Sequence, residues 1–477
     1  MNTLLSYLLV TLYVLTIAGV ILVILSENRN PLKSLSWVIV LVLAPVVGLV
    51  CYFFFGQNLS KRRTISRRLR KQLESFIRQS HRPDQQSISP QFRPLEQLVA
   101  DVGNAPSLYD TEWRIFRAGD EKFAALLEDI AHAKHHIHLQ YYIIDNDQTG
   151  QTLLKALVEK ARQGVEVRVL YDDVGSRLVR KKFFTPLLEA GGEASPFLHV
   201  QFPRFTSKVN YRNHRKLVII DGRIGYFGGM NLADRYRFGS QIGPWRDTHL
   251  RITGGGVAGL QAAFLSDWYA TTRQRLNDEL RYYPTLSRSE LADDSANAIQ
   301  FLSSGPMGKW RTLPQMLCMA VGRATSRIWI QTPYYLPSEQ LNSALQTAAL
   351  AGIDVRLMLP HRSDSSTVDL AVHSYLDDMV RAGVKVSFYM AGFLHAKTMI
   401  IDDSLSILGS ANMDFRSFEH NFELSGICYD ASLNQALADH FLHDEEQCHP
   451  IIASEWFRRP RVRRLAESLM RLFSPLM

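Results

Sequence analysis

The chain has 477 residues, of which 46% are hydrophobic and 21% are charged, a composition that supports a sizeable core and excludes a disordered chain. Lysine and arginine total 54 against 46 aspartates and glutamates, and the resulting net charge of +8 favours anionic partners such as phosphate groups or an acidic membrane surface. The four cysteines have no paired spacing, which excludes a disulfide scaffold and a cysteine-type zinc site.

Two apolar stretches open the chain. Residues 4–25 and 35–55 contain no charged side chain, and a helix of about 20 residues matches the thickness of a bilayer core. The connector between them contains Asn30-Pro31, which indicates a tight turn. We therefore predict a transmembrane helical hairpin over residues 1–56. A cleaved signal peptide is the alternative, although no lysine or arginine precedes the first stretch.

A basic segment follows the second apolar stretch. Nine lysines and arginines lie between Lys61 and Arg82, and we predict residues 57–105 as a basic juxtamembrane linker. The positive-inside rule places this segment, and everything after it, on the cytoplasmic side. Contact with anionic lipid headgroups is the favoured interpretation of these charges, and a solvated helix face is the alternative.

The middle of the chain contains an internal repeat. Residues 137–142 resemble 328–334, and residues 164–170 resemble 352–358. Each copy is typical of two strands that flank a helix, and a glycine follows each helix, as is common where helices end. The helices are predicted at 152–163 and 338–351.

The repeat predicts an α/β fold with two pseudo-symmetric halves, each a mixed sheet with flanking helices. We place the first half at 106–285 and the second at 286–455, with the connection between them near 277–298. The last segment, 456–477, alternates arginines with apolar residues and is predicted as a basic amphipathic segment. It either lies on the membrane or packs against the body of the protein.

The strongest match between the two copies is a motif of fixed spacing. A histidine is followed two positions later by a lysine, then five positions later by an aspartate, then ten positions later by an asparagine. One such match could arise by chance, but two at the same register of a tandem repeat indicate a functional site. The residues are His214, Lys216, Asp221 and Asn231 in the first copy and His395, Lys397, Asp402 and Asn412 in the second.

Strand geometry explains the spacing. A histidine and a lysine two positions apart on a strand point to the same face. If Gly222 and Arg223 form a two-residue hairpin turn, Asn231 lies directly opposite His214. The same arithmetic in the second copy, with a turn at 403–404, places Asn412 opposite His395. Each half is therefore predicted to present an imidazole, an ammonium and a carboxamide from one hairpin.

This set of groups suits phosphate chemistry. Lysine binds phosphate as a compact charge, and asparagine can donate a hydrogen bond to a phosphoryl oxygen. One imidazole can attack phosphorus while the other donates a proton to the departing alkoxide. The sequence thus predicts a two-step phosphodiester exchange through a phosphohistidine, without a metal or another cofactor, because no clustered carboxylates accompany the motifs. The alternative is that these are merely polar residues on edge strands.

These paired H-x-K-x4-D motifs resemble those of the phospholipase D superfamily, and within it the chain is most similar to the bacterial cardiolipin synthase family. The resemblance covers essentially the whole chain, including the double amino-terminal span. It implies two halves that share one active site, and condensation of two phosphatidylglycerol molecules to cardiolipin and glycerol. It also implies a multi-pass protein of the bacterial inner membrane, with both catalytic halves on the cytoplasmic side. The stretches that carry it are 213–216, 225–229, 245–249, 394–398, 409–414, 416–418 and 421–423.

The resemblance also implies roles for individual residues. His214 would be the nucleophile and His395 the acid and base, although the sequence alone leaves these two roles exchangeable. Asp221 and Asp402 would orient and support the site. Four residues are expected to bind substrate, and two carboxylates to support the site from behind. The former are Asn231, Asn412, Ser410 and Gly229, where the family commonly has serine in place of Gly229; the latter are Asp247 and Glu423.

Three other functions remain open on the sequence. Water could replace the acceptor lipid, which would make the protein a hydrolase. The sequence also leaves the second substrate open, and phosphatidylethanolamine or another polyol could serve as the partner of phosphatidylglycerol. A nuclease of the same superfamily would use the basic surface for a nucleic acid. A non-catalytic membrane-binding module is the third alternative, and the intact motifs argue against it. The two apolar stretches count against the nuclease, so the expected partners are phosphatidylglycerol and anionic phospholipid, with no nucleic acid.

Overall fold

The computed structural model describes residues 2–26, 31–52, 88–179, 182–199, 210–274, 276, 279–284, 297–307 and 310–476. It divides into two units: residues 1–61 with 200–211, and residues 62–199 with 212–477. The predicted basic run between Lys61 and Arg82, and most of the predicted connection at 277–298, lie outside the described residues.

The described elements alternate strands with helices along most of the second unit. In chain order the helices are α1 Asn2–Ser26, α2 Pro31–Leu43, α3 Pro45–Cys51, α4 Arg93–Gly103, α5 Gly119–His132, α6 Gln148–Arg162, α7 Thr185–Glu189, α8 Asp234–Phe238, α9 Val257–Thr272, α10 Thr312–Arg323, α11 Glu339–Leu350, α12 Ser366–Arg381, α13 Phe415–Glu419, α14 Ala431–Glu445, α15 Ala453–Trp456 and α16 Arg461–Arg471. The strands are β1 Leu108–Tyr109, β2 Thr111–Phe116, β3 His136–Tyr141, β4 Glu166–Asp172, β5 Glu193–Phe197, β6 Leu217–Ile220, β7 Ile224–Gly228, β8 Trp245–Arg246, β9 His249–Gly254, β10 Ala298–Ser304, β11 Arg327–Gln331, β12 Asp354–Pro360, β13 Lys385–Tyr389, β14 Phe393–Leu394, β15 Thr398–Ile401, β16 Leu405–Gly409, β17 Glu423–Tyr429 and β18 Cys448–Pro450.

The first unit contains the apolar helices α1, α2 and α3. By length and composition, α1 could cross a membrane over Leu5–Ser26. The second apolar stretch is not one helix, because it breaks at Ala44, whose φ of −134° and ψ of 67° precede Pro45. Proline lacks a backbone N–H and disfavours the helical conformation in the residue before it. Among the described residues the structure therefore has one helix long enough to span a membrane, and the end of the second stretch lies outside them.

The second unit holds two sheets with matching topology. The first has seven strands in the order β2-β9-β7-β6-β3-β4-β5, and the second has nine in the order β1-β10-β17-β16-β15-β11-β12-β13-β18. In both sheets the strands of the first βαβ units are parallel, and the hairpin that follows is antiparallel. This is the mixed α/β architecture with two repeated halves that the sequence predicts.

The two helices predicted from the repeat are confirmed as α6 and α11. Asp147 and Ser338 cap them through side-chain oxygens that accept hydrogen bonds from backbone N–H groups. Gly164 and Gly352 follow their C-termini with φ of +87° and +91°, a conformation that residues with a Cβ seldom adopt. In both copies of the repeat, the helix therefore ends at a glycine with positive φ.

The boundary predicted between linker and first half is wrong. Leu95 and Val99 lie four residues apart on α4, so they share one face, and both are buried in the hydrophobic core of the second half. Strand β1 pairs with β10 at the edge of the second sheet. Residues 88–109 thus belong structurally to the second half, because apolar spacing and not overall charge decides where a short segment packs.

Short backbone pairings join the two halves. Strand β8 of the first half pairs in parallel with β14 of the second. In the reciprocal position, Asn213 of the first half forms a bridge with Phe422 of the second. Each pairing lies directly beside one of the two histidines of the motif, so the segments that carry them are fixed by backbone hydrogen bonds to the opposite half.

Candidate active site

His214 is held between the two halves. Its backbone N–H donates to the carbonyl of Phe422 at 2.9 Å, and its ring Nδ1 lies 3.0 Å from both carboxylate oxygens of Glu423. Both side chains are buried. The carboxylate favours the tautomer that carries the proton on Nδ1, which leaves the lone pair of Nε2 available for attack on an electrophile.

His395 is held in the reciprocal way. Its backbone N–H donates to the carbonyl of Arg246 at 2.7 Å, and its Nδ1 lies 2.6 Å from Oδ2 of Asp247. Each histidine therefore receives its carboxylate from the other half of the molecule. The predicted supporting carboxylates, Asp247 and Glu423, are the two that the structure places against the imidazoles.

A single cavity of about 760 Å³ lies over both histidines. His214 and His395 line it together, as do Asn231 and Asn412 from the same two motifs. Elements from both halves contribute the remaining wall. These further lining residues include Tyr142, Arg235, Tyr236, Trp245, Tyr334, Asp364, Asp414, Arg416 and Asn421.

The two lysines of the motifs are buried behind the histidines. The ammonium of Lys216 donates to the carbonyl oxygen of His214 at 2.5 Å and lies 5.5 Å from the ring centroid of Tyr142. Lys397 donates to the carbonyl of His395 and lies 2.9 Å from its Nδ1. Burial lowers the pKa of Lys216 to about 7 and that of Lys397 to about 8. Their charge therefore depends on the anions around them.

Burial also keeps both imidazoles neutral in the empty site. It lowers the pKa of His395 to about 3, with Lys397 adding to the effect against the pull of Asp247. The pKa of His214 is lowered by burial too, opposed by Glu423. Burial tends to raise the pKa of the Glu423 and Asp247 carboxylates. The positive groups and hydrogen bonds around them outweigh burial and lower both pKa values. The carboxylates stay charged and the imidazoles stay available as bases.

The hairpin register differs by one residue from the prediction. Ile220 pairs with Ile224, and Ile401 pairs with Leu405, so each turn has three residues instead of two. Asp221 opens the first turn with φ of +56°, a conformation that aspartate tolerates better than most residues. The predicted direct pairing of asparagine with histidine across each hairpin is therefore wrong. The asparagines reach the cavity because the chain leaves the strands before it arrives at them.

Asp221 and Asp402 lie at these turns and do not line the cavity. Asp221 accepts hydrogen bonds from the backbone N–H groups of residues 134–136 at 2.8 to 2.9 Å. Asp402 accepts from the equivalent residues 325–327 at 2.8 to 3.2 Å. Each aspartate therefore fixes the start of the central strand of its own half, and any support it gives to the site passes through the sheet.

Gly229 and Ser410 lie behind the imidazoles, not on the cavity wall where substrate contact was predicted. The hydroxyl of Ser410 donates to Oε2 of Glu423, so it orients the carboxylate that holds His214. A Cβ at Gly229 would lie 2.1 Å from Oδ1 of Asp247. The missing side chain leaves room for the Asp247 carboxylate.

Aromatic residues that the motif did not reveal surround His395. The ring centroids of Trp245, Phe393 and Tyr236 lie 5.2, 5.4 and 5.7 Å from its own. Among the described residues, the ring contact of His214 is with Tyr142, at 4.9 Å between centroids. Trp245 stands two positions before Asp247, which is the one sequence signal that could have placed it on the same face of the chain.

Across the described ranges, histidine, cysteine and carboxylate side chains do not gather in threes where they could hold a metal ion. The two histidines of β3 have other partners. His136 and His138 are buried, and their rings contact the Gln261 side chain at 3.0 and 2.9 Å. The polar side chains that line the cavity carry imidazole, carboxamide, carboxylate, guanidinium and phenol groups.

Two pseudo-symmetric α/β halves with reciprocal histidine–carboxylate pairs at one cavity define a phospholipase D-like protein. A family model described as cardiolipin synthase, PLD-like domain matches residues 126–237 and 317–445, one match in each half. A second model, described as phospholipase D-nuclease N-terminal, matches residues 14–57. The chain belongs to the cardiolipin synthase family of phospholipase D-like proteins.

Individual relatives agree with this assignment. A cardiolipin synthase from a Geobacillus species is 39% identical over 460 residues, which are 95% of this chain and 91% of that protein. Cardiolipin synthase 2 of Bacillus cereus is 40% identical over 461 residues, 95% of this chain and 89% of that protein. The crystal structure of a phosphatidylserine synthase from Haemophilus influenzae has the same fold, with a TM-score of 0.60, 15% identity and coverage of 80% of this chain and 98% of that one.

Proposed function

We propose that the protein is a cardiolipin synthase that transfers a phosphatidyl group from one phosphatidylglycerol to another and releases glycerol. The observation that carries the proposal is that His214 and His395 line one cavity, each paired through Nδ1 with a carboxylate of the opposite half. The names of the relatives support the same activity. A phosphodiester in this cavity meets one imidazole on each side.

In the first step, Nε2 of His214 forms a bond to the phosphorus of the donor lipid while the bond from phosphorus to the glycerol oxygen breaks. A protonated His395 supplies the proton that leaves with glycerol. The negative phosphodiester raises the pKa of the nearby imidazole above its value in the empty site, so that His395 can carry this proton. Glu423 stabilises the positive charge that develops on His214.

In the second step, the primary hydroxyl of the acceptor phosphatidylglycerol gives its proton to His395. Its oxygen bonds to phosphorus as the bond to Nε2 of His214 breaks, which regenerates the free enzyme. Both steps use the same groups in opposite directions, as microscopic reversibility requires. Lys216 and Lys397, buried behind the histidines, offset the negative charge of the phosphoryl group through their own positive charge.

The location follows from the substrate and from the chain's apolar helix. The substrate is a membrane lipid, and α1 is long and apolar enough to reach through a bilayer. The nine positive residues between Lys61 and Arg82 favour a cytoplasmic position for the catalytic unit at the inner membrane. The second apolar stretch, although broken at Ala44, would complete a multi-pass anchor.

The C-terminal helix α16 supplies a second contact with lipid in this proposal. Its acidic residue Glu467 is buried and pairs with Arg459 and Arg463, so the polar side of the helix faces the protein. The apolar side is open: Val462, Leu465, Leu469 and Leu472 are 81%, 71%, 55% and 74% exposed. An amphipathic helix in this orientation suits an anionic bilayer surface, where its leucines enter the lipid and its flanking arginines meet headgroups.

Product analysis tests the proposed function. The purified full-length protein is incorporated into vesicles of phosphatidylglycerol, and the lipids are identified by mass spectrometry. We expect cardiolipin and glycerol in equal amounts, and neither from a variant that carries both His214→Ala and His395→Ala. Phosphatidic acid without cardiolipin would instead establish a hydrolase, and cleavage of oligonucleotides without lipid turnover would establish a nuclease.

A further inference from the structure

The cavity carries a second pair of repeated residues besides the histidines. Arg235 follows Asn231 by four positions, and Arg416 follows Asn412 by four positions. Both asparagines belong to the duplicated motif, and both arginines line the same cavity. The repeat therefore places one guanidinium from each half at the wall of the active site, at equivalent positions.

The two arginines have different surroundings. Arg235 forms an ion pair with Asp145, with 2.6 Å between its Nη1 and Oδ2 of the carboxylate. The residue equivalent to Asp145 in the second half is Leu336. The backbone establishes this equivalence: the N–H of Asp145 donates to the carbonyl of Leu232, and the N–H of Leu336 donates to the carbonyl of Met413, at 3.1 and 2.8 Å.

Arg416 consequently has no counterpart of Asp145, the carboxylate that neutralises Arg235. The two carboxylates on its side of the cavity are engaged elsewhere, because Asp414 accepts from Asn412 and Ser417, and Asp364 accepts from Tyr334. Within the ranges that the structure describes, the Arg416 guanidinium has no hydrogen bond or ion pair. Its side chain is partly exposed, so a positive group faces the cavity with its donors unused.

The proposed reaction creates a need for such a group. Two anionic lipids must enter one cavity, and the two buried lysines neutralise only the phosphodiester that lies between the histidines. The acceptor carries its own phosphodiester, which a short glycerol backbone holds close to the attacking hydroxyl. A guanidinium binds phosphate through a planar pair of N–H donors and is always charged.

We infer that Arg416 binds the phosphodiester of the acceptor phospholipid and thereby selects a phospholipid over water or free glycerol in the second step. This inference rests on the proposed function and assigns a substrate subsite within it. It also gives the repeat a division of labour: the first copy neutralises its arginine with Asp145, and the second copy leaves its arginine for the ligand.

Exchange of free glycerol separates the acceptor from the donor. In the presence of deuterated glycerol, the covalent intermediate returns to deuterated phosphatidylglycerol, a reaction that uses the donor and both histidines but an acceptor without phosphate. For Arg416→Gln we expect cardiolipin synthesis at subsaturating lipid to fall about 10- to 100-fold, the loss of a charge-assisted hydrogen bond. Glycerol exchange should change less than twofold, and Arg416→Lys should restore part of the synthesis.

Two further variants sharpen the test. Arg311→Gln removes an arginine that does not line the cavity and that pairs with Glu419, a residue on the same short helix as Arg416. This change should leave both rates unchanged. Leu336→Asp supplies the missing carboxylate and should reproduce the loss of synthesis with exchange retained. Thermal unfolding identifies variants that do not fold; Leu336 is buried, so Arg416→Gln carries the conclusion if Leu336→Asp fails.

Two outcomes would overturn the inference. An equal fall of synthesis and exchange in Arg416→Gln would assign Arg416 to the donor, and unchanged synthesis would remove it from the site. Failure of the proposed function is distinguishable from both, because the wild-type protein would then produce no cardiolipin at all.

Discussion

His214 and Glu423 are 209 residues apart in the chain, and the imidazole Nδ1 lies 3.0 Å from both oxygens of the carboxylate. His395 and Asp247 form the reciprocal pair at 2.6 Å. Each histidine motif is thus completed by the other half. The repeat does not provide two sites: it provides one site whose two imidazoles both depend on the interface.

Replacing either carboxylate should show that the activity of its histidine depends on it. In Glu423→Gln, the amide can donate a hydrogen bond to Nδ1 of His214, which favours the tautomer whose proton blocks Nε2. We expect kcat for cardiolipin synthesis to fall on the order of 10²–10⁴-fold, as when a histidine loses the carboxylate that sets its tautomer. Steady-state kinetics on lipid vesicles measures the loss, and Asp247→Asn should behave alike.

Glu445→Gln is the control for this change. Glu445 forms an ion pair with Arg356 away from the cavity, and its loss should leave kcat within about twofold, since surface ion pairs contribute little. A folded Glu423→Gln protein with the wild-type kcat would contradict the role given to the carboxylate.

The pH dependence of kcat/KM should report the two buried lysines. Burial lowers the pKa of Lys216 to about 7 and that of Lys397 to about 8, so the ammonium groups are present below these values and are lost as the pH rises through them. Because only the charged forms attract a phosphodiester, kcat/KM should decline from about pH 7 upward. The imidazole of His395 is neutral in the empty site and must take up a proton for the first step, and this requirement adds to the decline as the pH rises.

The profile is measured at constant ionic strength, because salt screens the attraction between protein and lipid. A flat profile from pH 6 to 9, or one that rises over this range, would show that the charge of the lysines is not required for substrate capture.

Asp402→Asn should reduce stability without reducing catalysis by the folded protein. The carboxylate accepts backbone hydrogen bonds from residues 325–327 and does not line the cavity. Loss of the charged acceptor should lower the free energy of unfolding by about 2–3 kcal/mol. Thermal unfolding gives the stability, and kcat per folded molecule should remain within about threefold. A stable variant without activity would instead make Asp402 part of the catalytic machinery.

The same carboxylate should contribute to acid unfolding. Burial tends to raise the pKa of Asp402, but its hydrogen bonds to Ser326 and Gln91 outweigh burial and lower it to about 2. Its stabilising contribution is therefore fully present above about pH 4 and is lost as the pH falls from there towards 2. The difference in stability between the wild type and Asp402→Asn should shrink over this interval.

The exposed leucines of α16 should enter lipid. A tryptophan introduced as Leu469→Trp in the full-length protein should be quenched by brominated acyl chains in anionic nanodiscs, after subtraction of the native tryptophan signal. Leu350→Trp is the matched control, because Leu350 is 74% exposed on the end of a different helix. Equal quenching at the two positions, or none at Leu469→Trp, would contradict contact between α16 and the bilayer.

The internal repeat made much of this structure predictable. It indicated two α/β halves, and the glycines after α6 and α11 fixed the ends of both helices. The duplicated motif also identifies four groups that share one cavity: the two histidines and the two asparagines. These features are local or repeated, and therefore the sequence displays them directly.

The remaining features depend on contacts that a sequence does not display. The pairing of each histidine with a carboxylate crosses the interface between the halves, so spacing within one motif cannot reveal it. The hairpin turns differ from the predicted two-residue turns because an aspartate with positive φ adds a third residue to each. The basic run before them predicts that residues 88–105 are linker, whereas Leu95 and Val99 pack in the core of the second half.

The central claim is that His214 and His395 act on one phosphorus atom and that a phosphatidyl group is carried on His214 between the two steps. The direct measurement is mass-spectrometric mapping of the modified peptide after the enzyme and phosphatidylglycerol are quenched in alkali, where phosphohistidine is stable. The account predicts the phosphatidyl mass on the peptide that contains His214 in the wild type, and none in His214→Ala. Active wild-type enzyme that carries no modification on any histidine under these conditions would contradict it.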